Sequence, residues 1–258
     1  ADRARRGSAS SVQAIKYDDR GSKVDKHVWD DYALSPLDLV DEIRSTVPDF
    51  RESYELPDGM FRQKIPAFDE AVVRELVVNA LVHRPYTQRG DIFLNLHPDH
   101  LEVVNVGRLP LGVTPKNVLH AGRRRNEGLA RIFHDVKLME REGSGFDLMY
   151  EKLVASGRPP PSVKEGPDSV HVTVPRRSVK ANVVKLVHDA DQRFQLKQRE
   201  RIALGLLAQS EGMTAAELCA ALELEDAAAL HSWTDRLLDA GLVAASGRTR
   251  ARKYFVPP

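Results

Sequence analysis

Residues 75–86 read Glu-Leu-Val-Val-Asn-Ala-Leu-Val-His-Arg-Pro-Tyr and lie in the most apolar segment of the chain. The segment from Phe68 to His83 has the pattern of a helix with apolar residues on nearly every side, and Pro85 ends it. Such a helix is buried on most sides. Glu75 and Asn79 are one turn apart on it, where a carboxylate is costly without a cation, a ligand or a partner.

Two later elements also carry groups that suit a nucleotide. The predicted strand 101–106 contains Asn105, whose side chain can accept a hydrogen bond from an adenine amino group, and Gly107 lets a base approach the backbone. The run 140–145 places glycines before a helix that starts at Phe146, where free N–H groups can face phosphate. Taken alone, each element is more often structural: the helix pair is a helix edge, the Asn-x-Gly element an ordinary turn and the glycine run a plain loop.

In this order the elements resemble the nucleotide site of GHKL-type (Bergerat-fold) ATP-binding domains. More narrowly, the chain is similar to the GHKL-like domain of bacterial and archaeal predicted transcriptional regulators, which are often labelled helicase-related. The residues that carry this resemblance are 75–86, the Asn-x-Gly-x-Leu-Pro element at 105–110, the Arg125-Asn126 pair and the Glu-Arg-x-Gly-x-Gly element at 140–145.

The resemblance implies an α+β fold. We expect a GHKL-like α/β sandwich, in which a mixed, mainly antiparallel sheet has helices, including 68–83 and 146–155, on one face. The superfamily has Asp where this chain has Asn105; an amide oxygen still accepts a hydrogen bond, without charge.

The resemblance also implies ATP and Mg²⁺ as cofactors. Glu75 would be the general base of any hydrolysis, and the amide oxygen of Asn79 would bind the metal. His83 is either a helix-end hydrogen-bonding residue or a phosphate contact, and the Arg123–Arg125 run is either a solvated face or a phosphate contact. The predicted nucleotide-binding residues are Asn79, His83, Asn105, Gly107, Arg125, Asn126, Gly143, Ser144 and Gly145.

The resemblance further places an AlbA-like (Schlafen-type) domain upstream. The strand-like residues 11–17 would be its closing strand, and we interpret the start of the chain, which lacks an initiator Met, as a fragment boundary. Within that division, 1–30 is a basic tail with the closing strand of a truncated AlbA-like domain. The remaining predicted parts are a connecting helix and strand at 31–65, the ATP-binding domain at 66–177, a linker at 178–196 and a C-terminal domain at 197–258.

The C-terminal pattern is typical of a winged helix-turn-helix domain. Helices are predicted at 199–209, 214–222 and 226–240, and two short strands flank a basic turn. Four cations in this turn can neutralise phosphates of duplex DNA, while an alternative is that the domain packs against a partner or a second copy. The predicted DNA-binding residues are Arg248, Arg250, Arg252 and Lys253 of the wing, with His231 and Arg236 of the third helix.

Composition narrows the class of protein without assigning a function. The chain has 258 residues with 38 Lys and Arg against 37 Asp and Glu, so any basic surface must be local. One cysteine, Cys219, excludes a disulfide framework and a cysteine-based zinc site, and we expect it to be a buried small residue. No apolar run is long enough for a membrane helix and no signal peptide is seen, so we expect a cytoplasmic protein.

Three functions are compatible with these patterns. The first is a nucleotide-responsive DNA-binding protein, a transcriptional regulator that we expect to form a homodimer. The second is a slow Mg²⁺-dependent ATPase in DNA repair or defence. The third is a degenerate GHKL scaffold that is used for dimerisation, so the sequence leaves open whether the protein is an enzyme.

Overall fold

Strands and helices alternate along most of the chain. The computed structural model describes residues 11–30, 34–58, 61–139, 145–176, 180–247 and 252–257. Its strands are β1 (Ser11–Tyr17), β2 (Lys23–Asp30), β3 (Ser53–Asp58), β4 (Phe61–Pro66), β5 (Ile92–Leu96), β6 (His100–Val106), β7 (Ser162–Glu165), β8 (Ser169–Pro175), β9 (Met213–Thr214), β10 (Ala244–Ser246) and β11 (Lys253–Phe255).

The helices are of two kinds. Short 3₁₀ helices cover Pro48–Arg51, Val118–His120 and Ala227–Leu230. The α-helices are α1 (Pro36–Thr46), α2 (Glu70–His83), α3 (Glu127–Asp135), α4 (Gly145–Ala155), α5 (Ala181–Phe194), α6 (Gln198–Ala208), α7 (Ala215–Ala221) and α8 (His231–Asp239).

The largest sheet is mixed and mainly antiparallel. Its strand order is β2-β1-β5-β6-β8-β7. Strands β1 and β5 run parallel, and the other described neighbours are antiparallel. Along β5 the buried Ile92, Leu94 and Leu96 alternate with half-buried residues, so one face of the sheet is covered more fully than the other. The fold is therefore α+β, in an arrangement consistent with an α/β sandwich.

Helix α2 is the central helix of this part of the chain. Its buried residues lie on all sides, as its apolar pattern predicts, and they include Glu75. The Asp69 carboxylate caps the N-terminus of the helix by accepting from the N–H groups of Ala71 at 2.9 Å and Val72 at 3.3 Å. The buried position of the helix is thus set by its composition, and its start by a side-chain cap.

The C-terminal end of α2 is capped by side chains from other elements. The last carbonyls of a helix lack intrahelical partners and need others when buried. Asn105 of β6 donates to the Ala80 carbonyl at 2.8 Å, and Tyr86 donates to that of Leu81 at 3.1 Å. Asn126, immediately before α3, donates to the Val82 carbonyl at 2.7 Å. These bonds join α2 to β6 and to the start of α3.

The chain divides into two compact units. The first consists of the described residues of Ala1–Pro115, Gly122–Gly145 and Pro161–Arg177. The second consists of those of Lys116–Ala121, Phe146–Pro160 and Ser178–Pro258. The sequence predicts a single domain over 66–177, whereas here 116–121 and 146–160 group with the C-terminal residues.

The second unit has a core of its own. Helix α4 contributes Tyr150 and Val154 to it, and α5 contributes Val183, Val187 and Ala190. The predicted linker 178–196 therefore contains a helix whose apolar face is packed. The C-terminal elements follow in the order α6, β9, α7, α8, β10, β11, with the strands arranged β10-β11-β9.

Several elements differ from the sequence-based expectation. The strand at 11–17 is predicted from the sequence to close an upstream domain, but it pairs with β5 in the large sheet. Its partner is some eighty residues away in the chain, so a local sequence pattern cannot identify it. The predicted helix 226–240 is divided into a 3₁₀ turn and α8. Among the described helices, none has the length and apolar content needed to span a membrane.

Candidate nucleotide site

Glu75 and Asn79 form the centre of the candidate site. Glu75 is only 1% exposed, and the Asn79 amide nitrogen donates to its Oε1 at 3.2 Å. This bond leaves the Asn79 side-chain oxygen as the atom that can face a ligand. The pair therefore presents a buried carboxylate and an amide oxygen from one face of α2.

Gly145 packs directly against the Glu75 carboxylate. A Cβ atom at position 145 would lie 1.9 Å from Oε1 of Glu75 and 2.7 Å from its Cδ. A side chain at position 145 would therefore force the buried Glu75 carboxylate to move. Two elements that are seventy residues apart in sequence meet at this contact, as the resemblance implies.

Asn105 holds a buried acceptor in a fixed orientation. The side chain is 8% exposed, and its Nδ2 donates to the Ala80 carbonyl. A carbonyl only accepts, so the amide nitrogen must face it and Oδ1 must point the other way. Within the described chain Oδ1 is buried and has no hydrogen-bond partner. A donor from a ligand or from solvent would satisfy this acceptor.

Gly107 has a structural role that differs from the predicted one. Its φ of +92° lies in the left-handed region that favours glycine, and a Cβ there would be 2.7 Å from Cγ of Pro85. Its N–H donates to the Asp168 carbonyl at 2.9 Å. The close approach that requires glycine at this position is therefore that of Pro85, which follows α2.

The Arg125-Asn126 pair also makes contacts within the fold. Besides capping Val82, Asn126 donates to the Arg84 carbonyl at 2.7 Å. Arg125 donates through Nη2 to the carbonyl of Arg108 at 2.7 Å. Position 126 is thus occupied by a cap of α2, whereas the exposed Arg125 retains guanidinium N–H groups for other partners.

His83 lies at the end of α2 beside two arginines. Burial, followed by the charges of Arg125 and Arg124, lowers the pKa of His83 from 6.5 to about 4. Its Nδ1 is buried without a hydrogen-bond partner among the described residues. His83 is therefore a neutral imidazole near pH 7, and the nearby positive charge comes from the arginines.

Sequence reasoning did not assign a role to two further residues, one at the end of α2 and one beside the segment after β6. Arg84 is fully buried, donates through Nη2 to the Gly90 carbonyl and lies 5.5 Å from the Tyr86 ring centre. Glu165 of β7 accepts from the Leu109 N–H at 2.9 Å. The arginine between His83 and Pro85 was visible in the sequence, but Glu165 belongs to a strand that was not predicted.

The donor set suits a magnesium ion that is bound mainly through phosphates. The described residues contain no group of three His, Cys, Asp or Glu side chains that could hold a metal ion. Mg²⁺ in nucleotide sites commonly takes one or two protein oxygens, with phosphates and waters completing its shell. The Asn79 amide oxygen beside Glu75 fits that mode.

The predicted DNA-binding residues of the second unit have varied surroundings. Arg236 forms an ion pair with the buried Glu200 at 2.8 Å and donates to the Phe194 carbonyl. His231 pairs with Asp235 at 3.1 Å. In the wing, the Arg252 guanidinium lies 5.1 Å from the Tyr254 ring centre, and the side chain of Lys253 is exposed. The predicted site residues outside the described chain are Gly143, Ser144, Arg248 and Arg250.

Comparison with known proteins agrees with an ATPase-like domain. Residues 90–174 match the HATPase_c_4 family model, described as "Putative ATP-dependent DNA helicase recG C-terminal". This match, over about a third of the chain, supports an ATPase-like domain family. Among curated proteins none matches the chain.

One solved structure has a similar fold over most of the chain. It is the DIP2311 protein from Corynebacterium diphtheriae, with a TM-score of 0.79 and 22% sequence identity. The alignment covers 96% of this chain and 52% of that one, so the present chain spans about half of its length. At this identity the likeness concerns the fold alone.

The contact between Gly145 and Glu75 gives a stability prediction. Gly145→Ala should lower the free energy of unfolding by about 1–3 kcal/mol, because the added methyl group displaces a buried carboxylate. Gly128→Ala is the matched control, since nothing lies within 4 Å of the position of its Cβ and alanine favours the helix. Urea unfolding measures both. Equal stability of the two variants would contradict the close packing.

The neutral state of His83 predicts a dependence of stability on pH. Because the pKa is lowered from 6.5 to about 4 on folding, the unfolded chain binds more protons in that interval. Stability is retained above pH 6.5 and falls by roughly 3 kcal/mol as the pH drops toward 4. In His83→Gln this component should be missing from urea unfolding measured at several pH values. An unchanged slope in His83→Gln would refute the assignment.

Proposed function

We propose that the first unit binds an adenine nucleotide with Mg²⁺. The observation that carries the proposal is the buried Oδ1 of Asn105, which is fixed by the Ala80 carbonyl on the other side of the amide. The amino group of adenine supplies the donor that this oxygen lacks. The match of residues 90–174 to an ATPase-like family supports the same ligand.

The phosphates are proposed to lie between α2 and Gly145, which both belong to the first unit. Gly145 begins α4, and N–H groups at the start of a helix favour phosphate. Arg124 and Arg125, whose charges reach His83, supply the positive charge on the other side. Bound Mg²⁺ would neutralise phosphate charge there, with the Asn79 oxygen as its protein ligand.

If the nucleotide is hydrolysed, Glu75 is the proposed general base. It is held by Asn79 and confined by Gly145, so its carboxylate has a defined position next to the expected phosphates. A general base must lie within hydrogen-bonding reach of the water that it activates. The arrangement supports a slow ATPase, and it is equally suited to a protein that binds ATP as a signal.

Base selectivity tests the nucleotide proposal. ATP should bind about tenfold to a hundredfold more tightly than ITP, whose six-position oxygen is an acceptor that leaves Oδ1 of Asn105 unsatisfied. Asn105→Ala should lose this preference. Asn126→Ala is the matched control, since it also removes a cap from α2 but should keep the preference. Calorimetry with Mg²⁺ measures the ratio; no saturable ATP binding at millimolar concentration would exclude the function.

As a second function, we propose that the C-terminal residues bind duplex DNA as a winged helix. The order of elements and the β10-β11-β9 sheet support this assignment, with the wing between β10 and β11. Contact is proposed through the wing, because Arg236 is held by Glu200 and the exposed face of α8 includes Asp235 and Asp239. A nucleotide-responsive regulator combines both proposed functions.

The wing proposal predicts salt-dependent binding that is insensitive to DNA sequence. The double variant Arg252→Ala, Lys253→Ala should weaken binding to every duplex and lower the slope of log affinity against log salt by about two. Lys152→Ala with Lys185→Ala, two exposed lysines of the same unit, is the control of equal charge. Fluorescence anisotropy at low salt measures both. The proposal fails if the two double variants bind alike.

A further inference from the structure

Residues 116–121, called here the docking segment, belong to the second unit although the residues on both sides belong to the first. The Leu119 N–H donates to Oε2 of Glu223 at 2.7 Å. Nε2 of His120 lies 2.8 Å from the Leu222 carbonyl, which can only accept, so this nitrogen carries the proton. The side chain of Leu119 is 2% exposed and joins the core of the unit.

The docking segment attaches to the turn between α7 and α8. His120 also meets Trp233 of α8 edge-to-face, with ring centres 6.2 Å apart. In the proposed winged helix, this turn and α8 correspond to the helix-turn-helix elements. The docking segment therefore contacts the elements that set the position of α8 within the second unit.

Glu223 binds this segment through its carboxylate. Its φ of +54° lies in the left-handed region, which is strained for a residue other than glycine. Its second oxygen, Oε1, accepts from the buried Tyr150 hydroxyl at 2.9 Å. Burial and the Glu223 carboxylate raise the pKa of Tyr150, so its hydroxyl stays protonated as a donor. Both carboxylate oxygens are thus committed, and the strain is offset by these bonds.

A short stretch of chain connects the docking segment to the candidate nucleotide site. Arg124 and Arg125, the proposed phosphate contacts, follow His120 by four and five residues. Four residues of extended chain reach at most about 14 Å, so a docked His120 limits the positions that Arg124 and Arg125 can take. In this structure, in which the segment is docked, Arg125 donates to the Arg108 carbonyl.

We propose that docking of residues 116–121 on the α7–α8 turn, held by Glu223, is coupled to nucleotide binding in the first unit. This inference rests on the proposed nucleotide function and names its regulation. In this proposal docking restricts the positions open to both arginines, so less of that freedom is lost when the nucleotide binds. Because such coupling is reciprocal, a bound nucleotide stabilises docking by the factor by which docking strengthens nucleotide binding. Docking in turn stabilises the position of α8 within the second unit.

The test is Glu223→Gly in the full chain, with Mg²⁺ and the non-hydrolysable analogue AMP-PNP as the probe. Glycine accepts the left-handed backbone, so the variant should fold, while it deletes the acceptor of the Leu119 N–H. We expect about tenfold weaker binding of AMP-PNP by calorimetry and faster hydrogen exchange across 116–121. Glu223→Gln keeps an acceptor and should retain most of the affinity.

Gln195→Gly is the matched control. It makes the same kind of substitution at another left-handed residue of the second unit, with φ of +48°, and should bind AMP-PNP as the wild type does. Wild-type affinity in Glu223→Gly overturns the coupling while the nucleotide function stands. Unchanged exchange across 116–121 overturns the role of Glu223. Absence of saturable AMP-PNP binding to the wild type overturns the nucleotide function and the coupling with it.

Discussion

The first unit depends on how the C-terminal end of α2 is satisfied inside the protein. This helix is buried on most sides, so its last carbonyls cannot all rely on water. Asn105, Tyr86 and Asn126 donate to the carbonyls of Ala80, Leu81 and Val82. A buried carbonyl that loses its partner costs about 1–3 kcal/mol, so these caps fix β6, the turn after α2 and the start of α3 relative to one another.

The candidate site is built from the same bonds. The Asn105 amide caps α2 with its nitrogen, and in the proposed nucleotide site its oxygen would accept from the ligand. The nitrogen contact gives a physical reason for asparagine at a position where the GHKL-type domains that the sequence resembles have aspartate, since a carboxylate could not donate to the Ala80 carbonyl. Glu75 accepts a hydrogen bond from the neighbouring Asn79, and the absence of a side chain at Gly145 leaves room for its carboxylate.

The arrangement of charged side chains in the second unit bears on the proposed DNA contact. Several of its arginines are used inside the unit, as in the pairs Arg236–Glu200 and Arg201–Glu151, so they contribute little free positive charge. The exposed side of α8 has acidic residues, which disfavours close approach to phosphate. This distribution of charge favours the wing as the proposed DNA contact. The α7–α8 turn, which includes Glu223, contacts the docking segment instead.

The sequence by itself determined the elements that depend on local pattern. The apolar run 68–83 predicted a buried helix, residues 101–106 predicted a strand, and the order of motifs predicted an ATPase-like domain. Only the tertiary structure decided the parallel pairing of β1 with β5, the approach of Pro85 to Gly107, the capping role of Asn126 and the docking of 116–121. These features join residues far apart in sequence, and a local period or motif has no information about which distant group supplies a partner.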